Sequence, residues 1–563
     1  MEDEERKHEI RLRVKGMTCD SCAVHVQRAL ENVDGVNLVD LPSWKSESVR
    51  VIARSTIPDK ELTDAVKNAG YSAETDSRSE THLEPVLPVT PKTTGYDLAV
   101  IGTGGAGVAA AIKGAELGYR VALIERGEIG GTCVNVGCIP SKTLIRAAES
   151  FHNAKHNPFR GVTTTSGDLV WKEVILQKDS LIETLRREKY IDVIDAYKDK
   201  ISVFKSQARL THDGGVQLEN GQTIQPSKIV IATGARPRIL SVEGVSDTSV
   251  LTSTSLMEIN QLPKSLIVIG GRSVALELGQ AFSRFGTKVT ILQRSNTIIP
   301  AHEPEIAEAL MGYLEEEGIE IITNVRVLSI ADSGEKIVTA QVNGDTREFK
   351  AEHVLMAVGR KPNTEDMGLS EANVELDEHG FIKVDSQMRT SNEHVFAAGD
   401  VAILPKFVYV AAASGGLAAE NALRNKRKEL DLSIMPGIIF TSPQVAVVGL
   451  TEDKAKDAGY EVKVSILPLE YVPRALAAHD VRGLIKLVAD AESNCLLGAH
   501  VLAEDAGEII QTAVMAILMG QKYGFTVSDF QSLLFPYLVQ VEGLKLAALA
   551  FYKDVSKLSC CAS

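Results

Sequence analysis

Six of the seven cysteines in this 563-residue chain fall in three close pairs. The pairs are Cys19 with Cys22, Cys133 with Cys138, and Cys560 with Cys561. So few cysteines cannot form a disulfide scaffold for a chain of this length, and close pairs of this kind indicate metal or redox chemistry. The seventh, Cys495, is expected to be a buried and inert thiol.

The central pair lies in the run GGTCVNVGCIPSK, residues 130–142, where four residues separate Cys133 from Cys138. The run follows a nucleotide-binding pattern and is predicted to open a helix. Two thiols at this spacing can close a disulfide, and the positive end of the helix dipole lowers their pKa values. This pair is therefore predicted to be redox-active.

The two outer pairs have spacings that suit a soft metal ion. Two residues separate Cys19 from Cys22 in GMTCDSC, residues 16–22, so both sulfurs can face one ion, and no further Cys or His completes a four-ligand zinc site. A thioredoxin-like CxxC is the alternative. Cys560 and Cys561 are adjacent, which suits the capture of a low-coordinate soft cation. An incidental exposed Cys-Cys is the alternative there.

Two segments have the strand–glycine turn–helix form of a dinucleotide site. In the first, Gly102, Gly104 and Gly107 follow an apolar strand. Glycines at these positions let backbone N–H groups approach a pyrophosphate at the start of a helix. Glu125 ends the next predicted strand, where a carboxylate accepts hydrogen bonds from an adenosine ribose.

The second segment, residues 265–275, has Gly270 at the first glycine position of the pattern. Arg272 stands at the second glycine position and leaves the loop geometry open. The next strand ends without an acid at the ribose position and is followed by Arg294. An arginine there can pair with a 2′-phosphate, which favours NADPH over NADH.

The composition is that of a globular protein, with 44% hydrophobic and 24% charged residues. The formal net charge of -14 argues against nucleic acid, whose phosphates it would repel. No apolar run reaches the roughly 18 residues of a membrane span, so membrane insertion is not expected. The charged start of the chain lacks the apolar region of a secretory signal, so the expected location is cytoplasmic.

The elements predicted around these residues form a small module and a larger α/β part. The module covers residues 9–76. Residues 77–95 are rich in Pro, Thr and Ser and lack apolar periodicity, so a flexible linker is predicted. Beyond the linker, strand-like and helix-like segments alternate, which is typical of an α/β protein with parallel sheets.

From about residue 96 onwards the chain resembles the pyridine nucleotide-disulfide oxidoreductases, the family of glutathione reductase and dihydrolipoamide dehydrogenase. The resemblance rests on the central cysteine run, the nucleotide turns, and the motifs ATG at 232–234, AVGRKPN at 357–363 and AAGD at 397–400. It implies a homodimer with two Rossmann-like domains that bind FAD and NADPH, and an α+β dimerisation domain. The implied bounds are 96–240 and 359–434 for the FAD domain, 241–358 for the NADPH domain and 435–563 for the dimerisation domain with its tail.

The resemblance also implies roles for single residues. Cys138 would be the charge-transfer thiolate nearest the flavin, and Cys133 the thiol that exchanges with substrate. Lys142 and Glu277 match the family's ion pair beside the flavin. The matched motifs imply three more cofactor contacts, namely Asp400 at the ribityl chain, Thr132 and Gly234.

Two departures from the family's disulfide reductases concern the substrate. Those enzymes carry a C-terminal His-Pro…Glu dyad that protonates the departing thiolate, whereas Phe535 and Gln540 stand at its positions here. Neither side chain does acid–base work at neutral pH. With the Cys560-Cys561 tail, this pattern resembles the members of the family that reduce Hg(II).

In those members the tail pair of one subunit receives Hg(II) and passes it to the central pair of the other, so the active site is shared. Tyr190 and Tyr537 match tyrosines that line their metal site; without the resemblance, each would be an ordinary half-buried tyrosine. The module at 9–76 resembles heavy-metal-associated domains, which implies a βαββαβ ferredoxin-like fold. Met17 would pack beneath the metal loop, and Tyr71 would lie near the metal or in the core.

The resulting hypothesis is an NADPH-dependent reduction of Hg(II) to Hg(0) through FAD, for mercury detoxification, with Hg(II) as substrate. Hg(II)–thiol complexes and a mercury transporter are the implied partners. Two alternatives remain: a dihydrolipoamide dehydrogenase-like disulfide reductase with an added metal-binding module, and a metal-trafficking protein whose flavoprotein part is secondary.

Overall fold

The computed structural model describes residues 7–17, 20–41, 48–80, 93–246 and 249–557. The chain divides into two compact units. The units are Met1–Pro91 with Leu176–Thr184, and Lys92–Ile175 with Leu185–Ser563. Among the described residues, no helix is long and apolar enough to cross a membrane.

The N-terminal module is a four-stranded antiparallel sheet with two helices. Its elements are β1 (Lys7–Lys15), α1 (Asp20–Glu31), β2 (Val36–Asp40), β3 (Ser48–Arg54), α2 (Asp59–Asn68) and β4 (Ser72–Glu80). The sheet order β2-β3-β1-β4 confirms the predicted βαββαβ fold. Ile10, Leu12 and Val14 are fully buried, because alternate residues of a strand share one face.

Strand β4 extends into the segment that the sequence predicts to be a flexible linker. Residues 77–80 pair with β1, in a register that ends with Glu80 opposite His8. The physical reason is the length of β1, which begins at Lys7 and offers hydrogen-bonding partners along its whole edge. The linker prediction is therefore wrong for these four residues, and also for Thr93 and Thr94, which pair as a short strand with Ile224 and Gln225.

The larger part begins with the elements of the first nucleotide-binding domain. They are β5 (Thr93–Thr94), β6 (Leu98–Ile101), α3 (Gly105–Glu116), β7 (Val121–Glu125), α4 (Gly131–Val136), α5 (Cys138–Lys155), α6 (Trp171–Arg186), α7 (Asp192–Asp195), β8 (Ile201–Lys205), β9 (Ala208–Leu210), β10 (Val216–Leu218), β11 (Thr223–Gln225), β12 (Lys228–Ile231) and β13 (Ala235–Pro237). A π-helix, Arg187–Ile191, joins α6 to α7.

The second nucleotide-binding domain is inserted before the first one is completed. Its elements are β14 (Leu251–Thr252), α8 (Ser253–Leu256), β15 (Ser265–Ile269), α9 (Ser273–Phe285), β16 (Lys288–Leu292), α10 (Pro304–Glu316), β17 (Glu320–Ile322), β18 (Val325–Asp332), β19 (Lys336–Val342), β20 (Asp345–Ala351) and β21 (His353–Met356). The chain then returns to the first domain through β22 (Arg360–Pro362), β23 (Val395–Ala397) and α11 (Val408–Arg424).

Each nucleotide domain is built on a five-stranded parallel sheet. The orders are β23-β12-β6-β7-β8 and β14-β21-β15-β16-β17. All four residues of β6 are buried, as expected for a central parallel strand covered on both faces. The parallel sheets confirm the predicted α/β class with two Rossmann-like domains.

The C-terminal domain is an antiparallel sheet packed with helices, which confirms the predicted α+β domain. Its elements are β24 (Gly437–Ile439), β25 (Gln444–Gly449), α12 (Glu452–Asp457), β26 (Val462–Pro468), α13 (Pro473–Ala478), β27 (Leu484–Asp490), β28 (Leu496–Ala503), α14 (Ala506–Tyr523), α15 (Val527–Ser532) and α16 (Glu542–Leu549). The sheet order is β24-β25-β28-β27-β26. Cys495 precedes β28 and is half-buried rather than buried, because it sits at the strand's outer end.

Helices α3 and α11 approach each other closely through Gly415. A Cβ atom at Gly415 would lie 2.0 Å from the carbonyl oxygen of Ala106, so only glycine fits. The neighbouring Gly416 has open space around the same position. This contact holds the first nucleotide turn, at the start of α3, against α11.

We expect Gly415→Ala to destabilise the protein by about 1–3 kcal/mol, because an added methyl group overpacks a close backbone contact. Gly416→Ala is the matched control and should be neutral or stabilising by up to about 1 kcal/mol, as alanine favours the helix. Thermal unfolding followed by circular dichroism measures both. Equal thermal unfolding midpoints for the two variants would contradict the prediction that only glycine fits at residue 415.

Candidate active site

A cavity of about 1920 Å³ runs through the larger unit at the carboxyl ends of the parallel strands, where open α/β sheets bind ligands. It brings together most of the predicted site residues. These are Gly102, Gly104, Glu125, Thr132, Cys133, Cys138, Lys142, Gly234, Gly270, Glu277, Arg294 and Asp400. Gly107, Tyr190 and Tyr537 do not line it.

The first glycine turn is closely packed. Gly102 has φ +105°, and a Cβ there would lie 2.4 Å from the carbonyl oxygen of Ala232. Gly107 is buried below the turn, where a Cβ would lie 1.9 Å from the carbonyl oxygen of Gly102. Glycine at these positions therefore allows the turn to form, and the N-terminal amides of α3 are left to face the cavity.

Glu125 is fixed against this turn by three hydrogen bonds. Thr103 donates to Oε2 from its backbone N at 2.9 Å and from its hydroxyl at 2.6 Å. Gly127 N donates to Oε1 at 2.8 Å. A carboxylate held in this way keeps acceptor capacity towards the cavity, as an adenosine ribose requires.

The central thiols sit on two consecutive helices. Cys133 lies in the short helix α4, and Cys138 is the first residue of α5. A hydrogen bond from the Cys133 thiol and the charge of the Lys142 ammonium together lower the pKa of Cys138 to about 7, although burial opposes the shift. The same hydrogen bond, with burial, raises the pKa of Cys133. The pair therefore holds one thiolate, at Cys138, and one thiol.

An ion pair beside the thiols joins three parts of the chain. Lys142 Nζ on α5 lies 2.6 Å from Oε2 of Glu277 on α9. The other oxygen of Glu277 accepts a hydrogen bond from Phe440 N at 3.0 Å. Lys142 Nζ also lies 4.5 Å from the centre of the Phe440 ring, a cation–π distance. Lys142 is one helical turn after Cys138, so its charge stabilises the thiolate.

A buried cluster of charges lies further along the cavity. Burial raises the pKa of Asp400, although Arg360 and Lys406 oppose the shift. Arg360 Nε is buried 3.4 Å from Asp400 Oδ2, yet it has no hydrogen-bond partner among the described residues. Groups left unsatisfied in this way fit the hydroxyl and phosphate groups of the expected FAD. Arg360 lies in a motif seen in the sequence, but nothing in the sequence pointed to Lys406 or Phe440.

Tyr190 lies on the π-helix, an irregularity that is frequent at functional sites. Burial raises the pKa of Tyr190, and the nearby Cys133 and Cys138 raise it further. Its hydroxyl therefore stays protonated near the thiols. Tyr537, in contrast, is 52% exposed between α15 and α16, outside the cavity of its own chain.

Phe535 and Cys22 both make apolar contacts in the parts of the chain that the structure describes. The Phe535 ring packs on Phe530 at 5.4 Å, which is an apolar contact without acid–base capacity. Cys22 is half-buried and packs against the module's core together with Met17 and Tyr71. The other predicted metal ligands lie outside the described residues; they are Cys19, Cys560 and Cys561.

The second nucleotide turn repeats the geometry of the first. Gly270 N donates to Leu292 O at 2.9 Å, as Gly102 N donates to Ile124 O at 2.7 Å. Residue 293 therefore corresponds to Glu125, and residue 272 to Gly104. Arg272 has extended backbone with φ -109°, so an L side chain fits there without strain. Arg294 is exposed and lines the cavity.

We expect Glu125→Gln to weaken FAD binding roughly 10-fold or more, because hydrogen bonds to a charged acceptor are lost and the amide NH₂ faces a donor. Equilibrium dialysis of FAD against the refolded or flavin-stripped protein measures the change. Glu116→Gln is the matched control, since Glu116 is exposed at the end of α3 and pairs with Lys113 outside the cavity. Equal FAD affinity in both variants would contradict the role of Glu125.

Family comparisons cover nearly the whole chain. Residues 96–415 match the pyridine nucleotide-disulphide oxidoreductase family, and residues 435–548 match its dimerisation domain. Residues 11–72 match the heavy-metal-associated domain. The mercuric reductase of Lysinibacillus sphaericus is 42% identical over 560 residues, covering 99% of this chain and 100% of the relative. That of Shigella flexneri is 42% identical over 572 residues, covering 98% and 99%.

Solved structures share the fold of the larger part. The HOCl-induced flavoprotein disulfide reductase RclA from Escherichia coli superposes with a TM-score of 0.72 at 27% identity, over 80% of this chain and 99% of that one. LpdA from Mycobacterium tuberculosis superposes with a TM-score of 0.71 at 25% identity, over 80% and 98%.

Proposed function

The chain belongs to the mercuric reductases of the pyridine nucleotide-disulphide oxidoreductase family, and we propose that Cys133 and Cys138 are the thiols at which it reduces Hg(II). The observation that supports this most strongly is a thiol–thiolate pair beside Lys142, in a chain whose C-terminal domain has Phe535 where a disulfide reductase has its acid. Bound FAD would supply the two-electron chemistry that links NADPH to Hg(II), with Hg(0), NADP⁺ and a proton as the products.

The thiol pair suits Hg(II) because both ligands are soft and close together. The thiolate of Cys138 needs no deprotonation before it binds the ion, whereas Cys133 releases its proton on binding. Two thiolates satisfy a low-coordinate soft cation. Uncharged Hg(0) has little affinity for thiolates, so reduction releases the product.

Other residues of the cavity hold the pair and the cofactors. Lys142 balances the charge of the Cys138 thiolate, and Glu277 fixes Lys142 in place. Tyr190 presents a protonated hydroxyl near the thiols. The first glycine turn and Glu125 would hold the ADP half of FAD, and Asp400 would bind its ribityl chain. Thr132 and Gly234 would make further contacts with FAD.

Disulfide reduction, the alternative, lacks a proton donor. Reducing a disulfide releases a thiolate that must be protonated, and the apolar Phe535 ring cannot supply the proton. Reduction of Hg(II) breaks no substrate disulfide bond. It therefore needs no acid to protonate a departing thiolate. The missing acid therefore favours the metal ion over lipoamide or glutathione.

We expect the purified protein to oxidise NADPH when Hg(II) is added in the presence of excess thiol, and to show little activity with lipoamide. Cys133→Ser/Cys138→Ser should lower Hg(II)-dependent NADPH oxidation at least about 1000-fold, because the hydroxyls are poor ligands for a soft ion. The absorbance of NADPH at 340 nm and the trapping of Hg(0) vapour measure the reaction. Unchanged turnover in the variant, or faster turnover with lipoamide than with Hg(II), would contradict the proposal.

The dimerisation domain makes the protein a homodimer, and we propose that its active site is shared between subunits. An exposed apolar surface around the 533–538 segment supports this, because Leu534 is 96% exposed and Tyr537 is 52% exposed. A second copy that covers this surface would bring Tyr537 and the Cys560-Cys561 tail to the central thiols of its partner. Hg(II) would then pass by thiolate exchange and would never be free.

The same chemistry supports a cytoplasmic location, since a reducing compartment keeps cysteine pairs available to bind a metal ion. Cys19 and Cys22 would take Hg(II) from cytosolic thiol complexes or from a mercury transporter. They would then deliver the ion to the tail pair. Each transfer exchanges one soft thiolate for another.

A mixed dimer tests the shared site. One subunit carries Cys133→Ser/Cys138→Ser and the other carries Cys560→Ala/Cys561→Ala, with different affinity tags. If the tail serves the partner's thiols, one of the two sites is intact, and the mixed dimer should show about half of the wild-type turnover with thiol-bound Hg(II). Both parent homodimers are the controls and should be inactive. An inactive mixed dimer would place the tail and the thiols of one subunit in the same site.

A further inference from the structure

Three exposed arginines line the part of the cavity that belongs to the second nucleotide domain. They are Arg272, Arg294 and Arg326, and they are called the arginine triad below. None of them forms an ion pair within the described part of the chain. Glu277, the carboxylate that lines this part of the cavity, is already paired with Lys142. In a chain with a net charge of -14, these cations are left for an anionic ligand.

The segments that carry the triad meet at one buried residue, Gln293. A Cβ on Gly271, next to Arg272, would lie 3.0 Å from the Gln293 side chain. Arg294 N donates to Gln293 Oε1 at 3.1 Å. Val325 N, next to Arg326, donates to the Gln293 carbonyl at 2.9 Å. The segments that carry the three arginines therefore meet at Gln293, and all three side chains line the same cavity.

Gln293 marks the ribose end of the nucleotide site. It corresponds to Glu125 of the first domain, because the two glycine turns make the same backbone contact with the preceding residue. A carboxylate at residue 293 would accept hydrogen bonds from a ribose 2′-hydroxyl and would repel a 2′-phosphate. The neutral amide removes that repulsion and leaves the triad as the dominant charge beside the ribose.

Arg272 departs most from the usual glycine pattern. It stands where the first turn has Gly104, and both residues are extended, with φ -109° and φ -70°. The turn therefore keeps its shape and gains a guanidinium group directed into the cavity. Arginine binds phosphate oxygens in a bidentate manner that lysine cannot match.

We infer that Arg272 and Arg326 join Arg294 in binding the 2′-phosphate of NADPH, and that they determine the preference for NADPH over NADH. The inference rests on the proposed use of NADPH and adds two residues that the glycine pattern does not contain. Three guanidinium groups from three segments surround one doubly charged phosphate. The preference is then a property of the folded cavity rather than of Arg294 alone.

Isothermal titration of the FAD-loaded dimer with 2′,5′-ADP and with 5′-AMP tests the inference without any turnover. Arg272→Ser and Arg326→Gln should each weaken 2′,5′-ADP binding roughly 10-fold or more, because each removes a charge-assisted hydrogen bond. Binding of 5′-AMP, which lacks the 2′-phosphate, should change less than about 3-fold. Flavin absorbance verifies that each variant is folded.

Arg347→Gln is the matched control. Arg347 is exposed in the same domain, lies over the ring of Phe349 at 5.0 Å, and does not line the cavity. It should leave both affinities unchanged. Equal losses for both nucleotides, or no loss for 2′,5′-ADP in either variant, would overturn the inference. A wild-type protein that binds 5′-AMP as tightly as 2′,5′-ADP would instead count against the use of NADPH itself.

Discussion

The ion pair between Lys142 and Glu277 is the interaction on which the active site depends. It joins helix α5, which carries Cys138, to helix α9 of the second nucleotide domain. Through the backbone of Phe440, the same carboxylate also holds the start of the C-terminal domain. Glu277 is 6% exposed, so loss of Lys142 would leave a buried charge without its partner. The cost is expected to be below the roughly 3–5 kcal/mol typical of a fully buried pair, because the Lys142 side chain is 33% exposed. The ion pair therefore contributes both to the electrostatics of the thiols and to the mutual position of the domains in the larger unit.

The two nucleotide-binding domains of this chain share one backbone turn and differ in a few side chains around it. Both turns have a glycine whose Cβ would lie 2.4 Å from a carbonyl oxygen, so the backbone is the same in both. The difference lies in the side chains at equivalent positions. Glu125 is replaced by Gln293, and Gly104 by Arg272. In the first domain, Glu125 leaves an acceptor for a ribose hydroxyl. In the second domain, Gln293 and Arg272 leave positive charge for a phosphate. The two turns therefore share a backbone, and we propose that the side chains around the second turn select its dinucleotide.

Two features of the site bear on the substrate: the thiol–thiolate pair, and the lack of an acid at the position of Phe535. A thiol–thiolate pair can attack a disulfide or bind a soft cation, so the thiols alone do not distinguish the two substrates. The C-terminal domain distinguishes them, because Phe535 packs in an apolar contact where an acid would protonate a departing thiolate. A reaction that releases an uncharged metal atom needs no such acid. The same site is thus unsuited to disulfides and remains suited to Hg(II).

The sequence by itself determined the fold class, the two glycine turns, the central thiols and the substituted acid position. These features depend on short segments, whose spacing and backbone requirements are local. Only the tertiary structure decided which distant residues meet at the site: Phe440 beside Lys142, Arg360 beside Asp400, and Val325, which precedes Arg326, beside Gln293. It also placed residues 77–80 in a strand, because pairing with β1 outweighs a composition typical of linkers. Tyr190 and Tyr537 show the same division, since one folds towards the thiols of its own chain and the other stays on the surface. Contacts between remote segments depend on how the domains close around the cavity, and no local pattern records that closure.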